Sequence, residues 1–192
     1  MVEPTIKILR CFIALELPLE IQNELAQTVA ALKRAEADVR WVEPENVHLT
    51  LKFLGEIPHP KVLQIGIALN ALAGQKTIVS RLAGLGAFPN RHRPRVIWAG
   101  LDNGIDELRG LQSQVEDIMS SLGFQREARD FSPHLTLGRV RSQRNLMALD
   151  ETMEAIRPEP LSFSFRHLVL MKSTLTPSGS IYQPIHTVQL AE

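Results

Sequence analysis

His48-Leu49-Thr50-Leu51 recurs letter for letter as His134-Leu135-Thr136-Leu137, and the pattern of elements around the two copies recurs with it. Side chains alternate across a strand, so in each copy the histidine and threonine share one face while the two leucines share the other. Around the first copy, Val47, Leu49, Leu51 and Phe53 alternate with His48, Thr50 and Lys52 until Gly55, the pattern of a half-buried strand with one polar face. Before it, the apolar run Ile6 to Leu15 reads as a buried strand ending at Leu17-Pro18, and Ile21, Leu25, Val29 and Leu32 recur at helical spacing. After it come a helix from about Pro60, with Val62, Ile65, Leu69 and Leu72 on one side, and a strand near Thr77 to Leu85. We read this half as βαββαβ-like.

The second half follows the same plan. A strand is expected at Arg95 to Leu101 and a helix near Ile105 to Leu122 with the stripe Leu108, Leu111, Val115, Ile118 and Leu122, with Gly123 as its C-cap. A strand around Ser132 to Val140 carries the second motif, and a helix bearing Leu146, Leu149, Met153 and Ile156 follows it. Strands near Leu161 to Phe165 and Arg166 to Lys172, a Pro177-Ser178-Gly179 turn and a strand at Ile185 to Leu190 close the chain. An internal duplication explains the parallel, with repeats of about 1–88 and 89–192. The expected fold is α+β: one bilobal domain over 1–192, built from two duplicated lobes whose mainly antiparallel sheets face a central cleft and carry helices on their outer faces.

Composition narrows the partners. The 21 basic and 21 acidic residues cancel, which excludes the strong positive field of a protein that grips long duplexes. Arginine still clusters, in Arg91-His92-Arg93-Pro94-Arg95 and again at Arg126, Arg129, Arg139, Arg141 and Arg144, a pattern that suits either an anionic ligand or solvated loops. Cys11 is the only cysteine and lies in an apolar strand, so no internal disulfide or multi-cysteine zinc site forms and a reducing compartment fits. Glu3 precedes the first apolar run and Arg10 interrupts it, which argues against a signal peptide or membrane span and for a cytoplasmic protein.

The duplicated motif presents two imidazoles and two hydroxyls to one cleft. An unperturbed imidazole titrates near ~6.5, so one of a pair can hold a proton while the other lacks it, which supplies a general acid and a general base. Threonine hydroxyls can donate to phosphate oxygens, and each lies two residues from its histidine, about 6.6 Å along an extended strand. A single histidine on a strand is ordinarily a surface residue; repetition at equivalent positions is what marks His48 and His134. No Asp, Glu or Cys falls within the motifs, so a metal site would lack its third ligand, and no metal or other cofactor is expected. Phe12, Trp41 and Trp98 could form a base-stacking platform but are read as core, and His59, His92, His167 and His186 lack duplicated context, His92 being read as a rim residue and the others as surface.

Two His-x-Thr-x motifs at this spacing resemble the RNA 2′,3′-cyclic phosphodiesterases, also called 2′-5′ RNA ligases, of the two-histidine phosphoesterase superfamily. The resemblance extends through Arg10 to Leu15, His48 to Gly55, Phe88-Pro89 through Trp98, Ser132 to Arg139, and Leu170 to Tyr182. It implies hydrolysis of 2′,3′-cyclic phosphates on RNA ends or small nucleotides to 2′-phosphomonoesters. His48 would protonate the leaving ribose oxygen, His134 would deprotonate the attacking water, and Thr50, Thr136 and Arg139 would hold phosphate oxygens. Strict alternation places Arg139 on the leucine face, so a bulge or strand end at Gly138 is required. Ligation at the same site in the reverse direction, and non-catalytic binding of phosphorylated RNA ends, are the competing readings. No obligate partner is evident, and a monomer is expected.

Overall fold

The computed structural model describes residues 6–177 and 179–192. Glu3 and Ser178, used above for the N-terminus and the last turn, lie outside the described residues. The described residues form nine strands and four helices. β1 (Ile8–Glu16), α1 (Leu19–Leu32), β2 (Val39–Trp41), β3 (His48–Pro58), α2 (His59–Leu69) and β4 (Ile78–Phe88) come from the first half. β5 (Val96–Leu101), α3 (Ile105–Ser121), β6 (Leu135–Val140), α4 (Leu146–Ala155), β7 (Ser162–Phe165), β8 (His167–Leu175) and β9 (Ser180–Gln189) follow. β2 is the strand that periodicity did not locate, because three residues are too few to show alternation. β9 begins earlier than expected and pairs with β8 along its length from Ser180. β3 runs past Gly55 to Pro58: Leu54 is an extra residue in its pairing with β1, and Gly55, at φ 73°, takes a left-handed conformation without a Cβ penalty.

The architecture is α+β with two antiparallel sheets, ordered β3-β1-β8-β9 and β2-β6-β5-β4-β7. The sheets are not the two halves of the chain. β1 and β3 are extended by β8 and β9 from the C-terminal half, while β5 and β6 are flanked by β4 and β2 from the N-terminal half. Each repeat therefore completes its partner's sheet.

Helical stripes bury against these sheets as their spacing predicts: Ile21, Leu25 and Leu32 of α1, Val62, Ile65 and Leu69 of α2, and Leu108, Leu111 and Val115 of α3 join one core with Ile13, Leu15, Leu49, Leu135 and Leu137. At about 1.5–3 kcal/mol for each fully buried large apolar side chain, this core dominates the stability. A smaller cluster of Phe12, Ala14, Val169, Met171 and Tyr182 covers the opposite face of the first sheet. That second face is the one that meets His48. No helix among the described residues is long and apolar enough to cross a membrane.

Candidate active site

His48 opens β3, and His134 immediately precedes β6, which begins at Leu135 rather than at Ser132. The two strands approach each other across the gap between the sheets. In both copies the imidazole is held in the same way: His48 Nδ1 lies 2.7 Å from the Asn46 carbonyl oxygen, and His134 Nδ1 lies 2.8 Å from that of Ser132. A carbonyl can only accept, so Nδ1 carries the hydrogen and donates it. Nε2 is left as the reactive nitrogen of each ring. This tautomer-fixing contact two residues upstream is part of the duplication, although the accepting residues differ and a carbonyl has no signature in sequence.

Aromatic rings fix the planes of both imidazoles. Phe12 stacks on His48 at 4.7 Å between centroids, and Tyr182 meets the same ring edge-on at 5.2 Å. Phe88 meets His134 edge-on at 4.9 Å, and Trp98 lies 6.4 Å away. Phe12 is buried, as expected, yet what it packs against is the motif histidine and not the main core.

These surroundings set the proton affinities. Burial pushes His48 down from 6.5 to about 4; the Asn46 carbonyl opposes the shift and the charge of His134 adds to it. Burial likewise lowers His134, opposed by the Ser132 carbonyl and reinforced by the Arg139 guanidinium. Both rings are thus predominantly neutral near pH 7. A bound anion would oppose both shifts, because negative charge stabilises the imidazolium.

A duplicated β-bulge decides what accompanies the histidines. In β6, Thr136 pairs with Trp98 and Gly138 with Ile97, leaving Leu137 as the extra residue. In β3, Thr50 pairs with Ala14 and Lys52 with Ile13, leaving Leu51 as the extra residue. Beyond the bulge the alternation is reset. Arg139 pairs with Val96, which lies on the same face as Trp98, so Arg139 shares the face of Thr136. The break required by the sequence is there, one residue before Gly138. Gly138 itself turns to the other side, where an added Cβ would sit 2.6 Å from Val39 Cγ1 and 2.9 Å from Trp41 Cε3. A side chain at 138 would therefore force Val39 and Trp41 of β2 to shift.

The same reset overturns the expected alternation of the first copy. Lys52 points into the core, where Nζ bonds Glu116 Oε2 at 2.7 Å and the Gln125 carbonyl at 2.9 Å. Phe53 shares the face of Thr50, packs near Phe12 at 6.0 Å, and is 66% exposed. It is the structural counterpart of Arg139. Arg40 was also missed: it lies opposite Arg139 in register, and its Nη2 donates to the Pro177 carbonyl at 2.8 Å, linking β2 to the β8–β9 hairpin of the other sheet. Its place in a strand too short to recognise left no sequence signal.

Among the described residues, no group of three or more His, Cys, Asp or Glu side chains is placed to hold a metal ion. The arrangement can take and give protons at two fixed nitrogens, with Thr136 and Arg139 sharing one face of β6.

Comparison with known proteins agrees with this geometry. The family described as LigT like Phosphoesterase matches twice, over residues 15–98 and 100–182. A protein of Aeropyrum pernix named RNA 2′,3′-cyclic phosphodiesterase is 37% identical over 170 residues, spanning 88% of this chain and 96% of its own. One of the same name from Methanocaldococcus jannaschii is 36% identical over 178 residues, spanning 92% of this chain and 98% of its own. The crystal structure of E. coli LigT complexed with 3′-AMP superposes with a TM-score of 0.79 at 26% identity, covering 97% of this chain and 100% of that one. With two matched repeats, two fixed imidazoles and full-length relatives, the chain belongs to the LigT-like phosphoesterase family.

Proposed function

We propose that the protein hydrolyses 2′,3′-cyclic phosphates on RNA ends or nucleotides, with His48 and His134 as the acid and base. The observation that carries this reading is the pair of Nδ1–carbonyl contacts, which leave two Nε2 atoms as proton carriers in one cleft. The naming of relatives as RNA 2′,3′-cyclic phosphodiesterases supports the substrate. Following the family's division of roles, His134 Nε2 removes a proton from water as the water attacks phosphorus in line with the ribose 3′-oxygen. The bond from phosphorus to that oxygen breaks, and His48 Nε2–H protonates the departing oxygen, leaving a 2′-phosphate. Thr50, Thr136 and Arg139 hold the non-bridging oxygens, where preorganised donors stabilise the charge that builds in the transition state. Phe53 offers an exposed ring on the cleft face for the base.

The test is incubation with a nucleoside 2′,3′-cyclic phosphate, with and without EDTA, followed by chromatographic separation of the 2′ and 3′ monophosphates. The expected product is the 2′ isomer, formed equally fast with chelator, because two imidazoles without a carboxylate are too few for a catalytic zinc site of three protein ligands. Predominant 3′-phosphate would overturn the orientation, and EDTA inhibition relieved by added zinc or magnesium would overturn the metal-free reaction.

A pH prediction follows from the lowered proton affinities. kcat/KM reports the free protein, so its bell should peak below pH 6.5, between the apparent pKa values of the coupled pair. Bound phosphate raises both values, so the kcat profile should lie at higher pH. Steady-state rates from pH 4 to 9 check this; a kcat/KM that climbs steadily into alkali would contradict it.

We also read the protein as a cytoplasmic monomer. Cys11 is buried and free, and burial raises its thiol to about 11, which fits an inert core residue in a reducing compartment.

A further inference from the structure

At the C-terminal end of β6, the end away from His134, lies a cavity of about 760 Å³ whose wall includes His92, Arg93, Arg95, Arg141 and Ser142. Arg93, Arg95 and Arg141 are exposed, and none enters an ion pair among the described residues. Elsewhere Arg81 pairs with Asp102, Arg126 with Asp117, Arg129 with Glu127 and Arg166 with Glu192. Arg91, from the same sequence cluster, is committed to structure, its Nε 2.5 Å from Asp150 Oδ1 and its Nη2 donating to the Asp150 carbonyl at 2.7 Å. That contact ties the β4–β5 loop to α4 and leaves Arg93 and Arg95 facing the cavity without a counter-charge. In a chain of zero net charge, three uncompensated guanidinium groups around one cavity repel each other, and an anion relieves the repulsion.

The cavity also lies on the continuation of β6 beyond Arg139. Arg141 follows Arg139 by two residues, about 6.6 Å along an extended chain. The Arg141 amide donates to the Asp38 carbonyl at 2.8 Å, so the edge beside β2 continues past the end of β6. A row of cations therefore leads from the group whose charge acts on His134 out to the cavity.

We infer that the Arg93–Arg95–Arg141 cavity is a second subsite, which binds backbone phosphates of a single-stranded RNA whose cyclic end occupies the cleft. The inference rests on the hydrolytic reading of the cleft. It assigns the protein a preference for oligonucleotide over mononucleotide substrates that the two-histidine motifs alone do not supply.

The test compares the full chain with its R93Q/R95Q/R141Q variant in two measurements. The first is binding of a 5′-labelled oligoribonucleotide ending in a 3′-phosphate, by fluorescence anisotropy across a salt series. The second is kcat/KM on a nucleoside 2′,3′-cyclic phosphate. The variant should bind the oligonucleotide about tenfold or more weakly at low salt, with a log–log salt slope shallower by about 2, since each phosphate contact on a single strand contributes about 0.7. Its mononucleotide kcat/KM should stay within about twofold. Unchanged oligonucleotide affinity and slope would show these arginines to be solvated loop charge and overturn the subsite. An equal loss on the mononucleotide would overturn it too, by placing them in the catalytic cleft. If the parent protein hydrolyses no cyclic nucleotide, the reading of the cleft fails, while the binding series still decides the subsite. Should the triple variant unfold by circular dichroism, R141Q alone is expected to reduce the slope by about 0.7.

Discussion

His48→Ala and His134→Ala are each expected to lower turnover of a nucleoside 2′,3′-cyclic phosphate by about two to four orders of magnitude, the range typical of positioned general acids and bases. The losses should not add in the double variant, because a proton taken by one ring is useful only when the other delivers one. His48 also packs against Phe12 and Tyr182, so alanine opens a gap there; His48→Gln fills more of it and should be as inactive. Initial rates on purified variants, with circular dichroism as a folding control, decide the matter. Retention of more than about half the parent activity by either single variant would sink the two-histidine mechanism.

The largest effect on stability is expected at the buried pair behind the first motif. Lys52 and Glu116 have only 6% and 7% of their side-chain surface exposed, so removing one charge strands the other away from water. Lys52→Met should destabilise the fold by about 3–5 kcal/mol, a large share of the ~5–15 kcal/mol that holds a typical domain together. Lys52→Met combined with Glu116→Leu should recover most of that loss, since a well-packed apolar pair can replace a buried ion pair at little net cost. The Gln125 carbonyl loses its donor in both variants, which keeps the recovery partial. Urea unfolding of the two variants checks this, and a single-variant loss below about 1 kcal/mol would refute it. Because Lys52 follows the bulge at Leu51, the single variant should also disturb Thr50 and reduce activity more than the double variant does.

Much of the site was legible because its chemistry is local. A histidine and a threonine two residues apart share a face of a regular strand, and their repetition in a second strand marks the candidate site. The need for a break near Gly138 was legible too, since Arg139 fell on the wrong face. The matching reset in the first motif was not, because Lys52 and Phe53 gave no conflict: a lysine beside polar residues and a phenylalanine beside leucines satisfy simple alternation. Only the pairing of Lys52 with core Ile13, and of Phe53 with Phe12, shows that the two exchange faces.

The sequence by itself determined the order of the helices and longer strands, the duplication, the apolar stripes and the two catalytic candidates, because each depends on periodicities of a few residues. Tertiary structure decided which strands complete which sheet, since β4 and β8 satisfy their hydrogen bonds equally well beside any compatible edge, and the choice depends on where the connecting helices pack. It also decided the tautomers and the proton affinities. Those arise from carbonyls, aromatic rings and an arginine brought around each imidazole by residues scattered through the chain, and burial, which contributes most to both shifts, has no meaning before the sheets face each other.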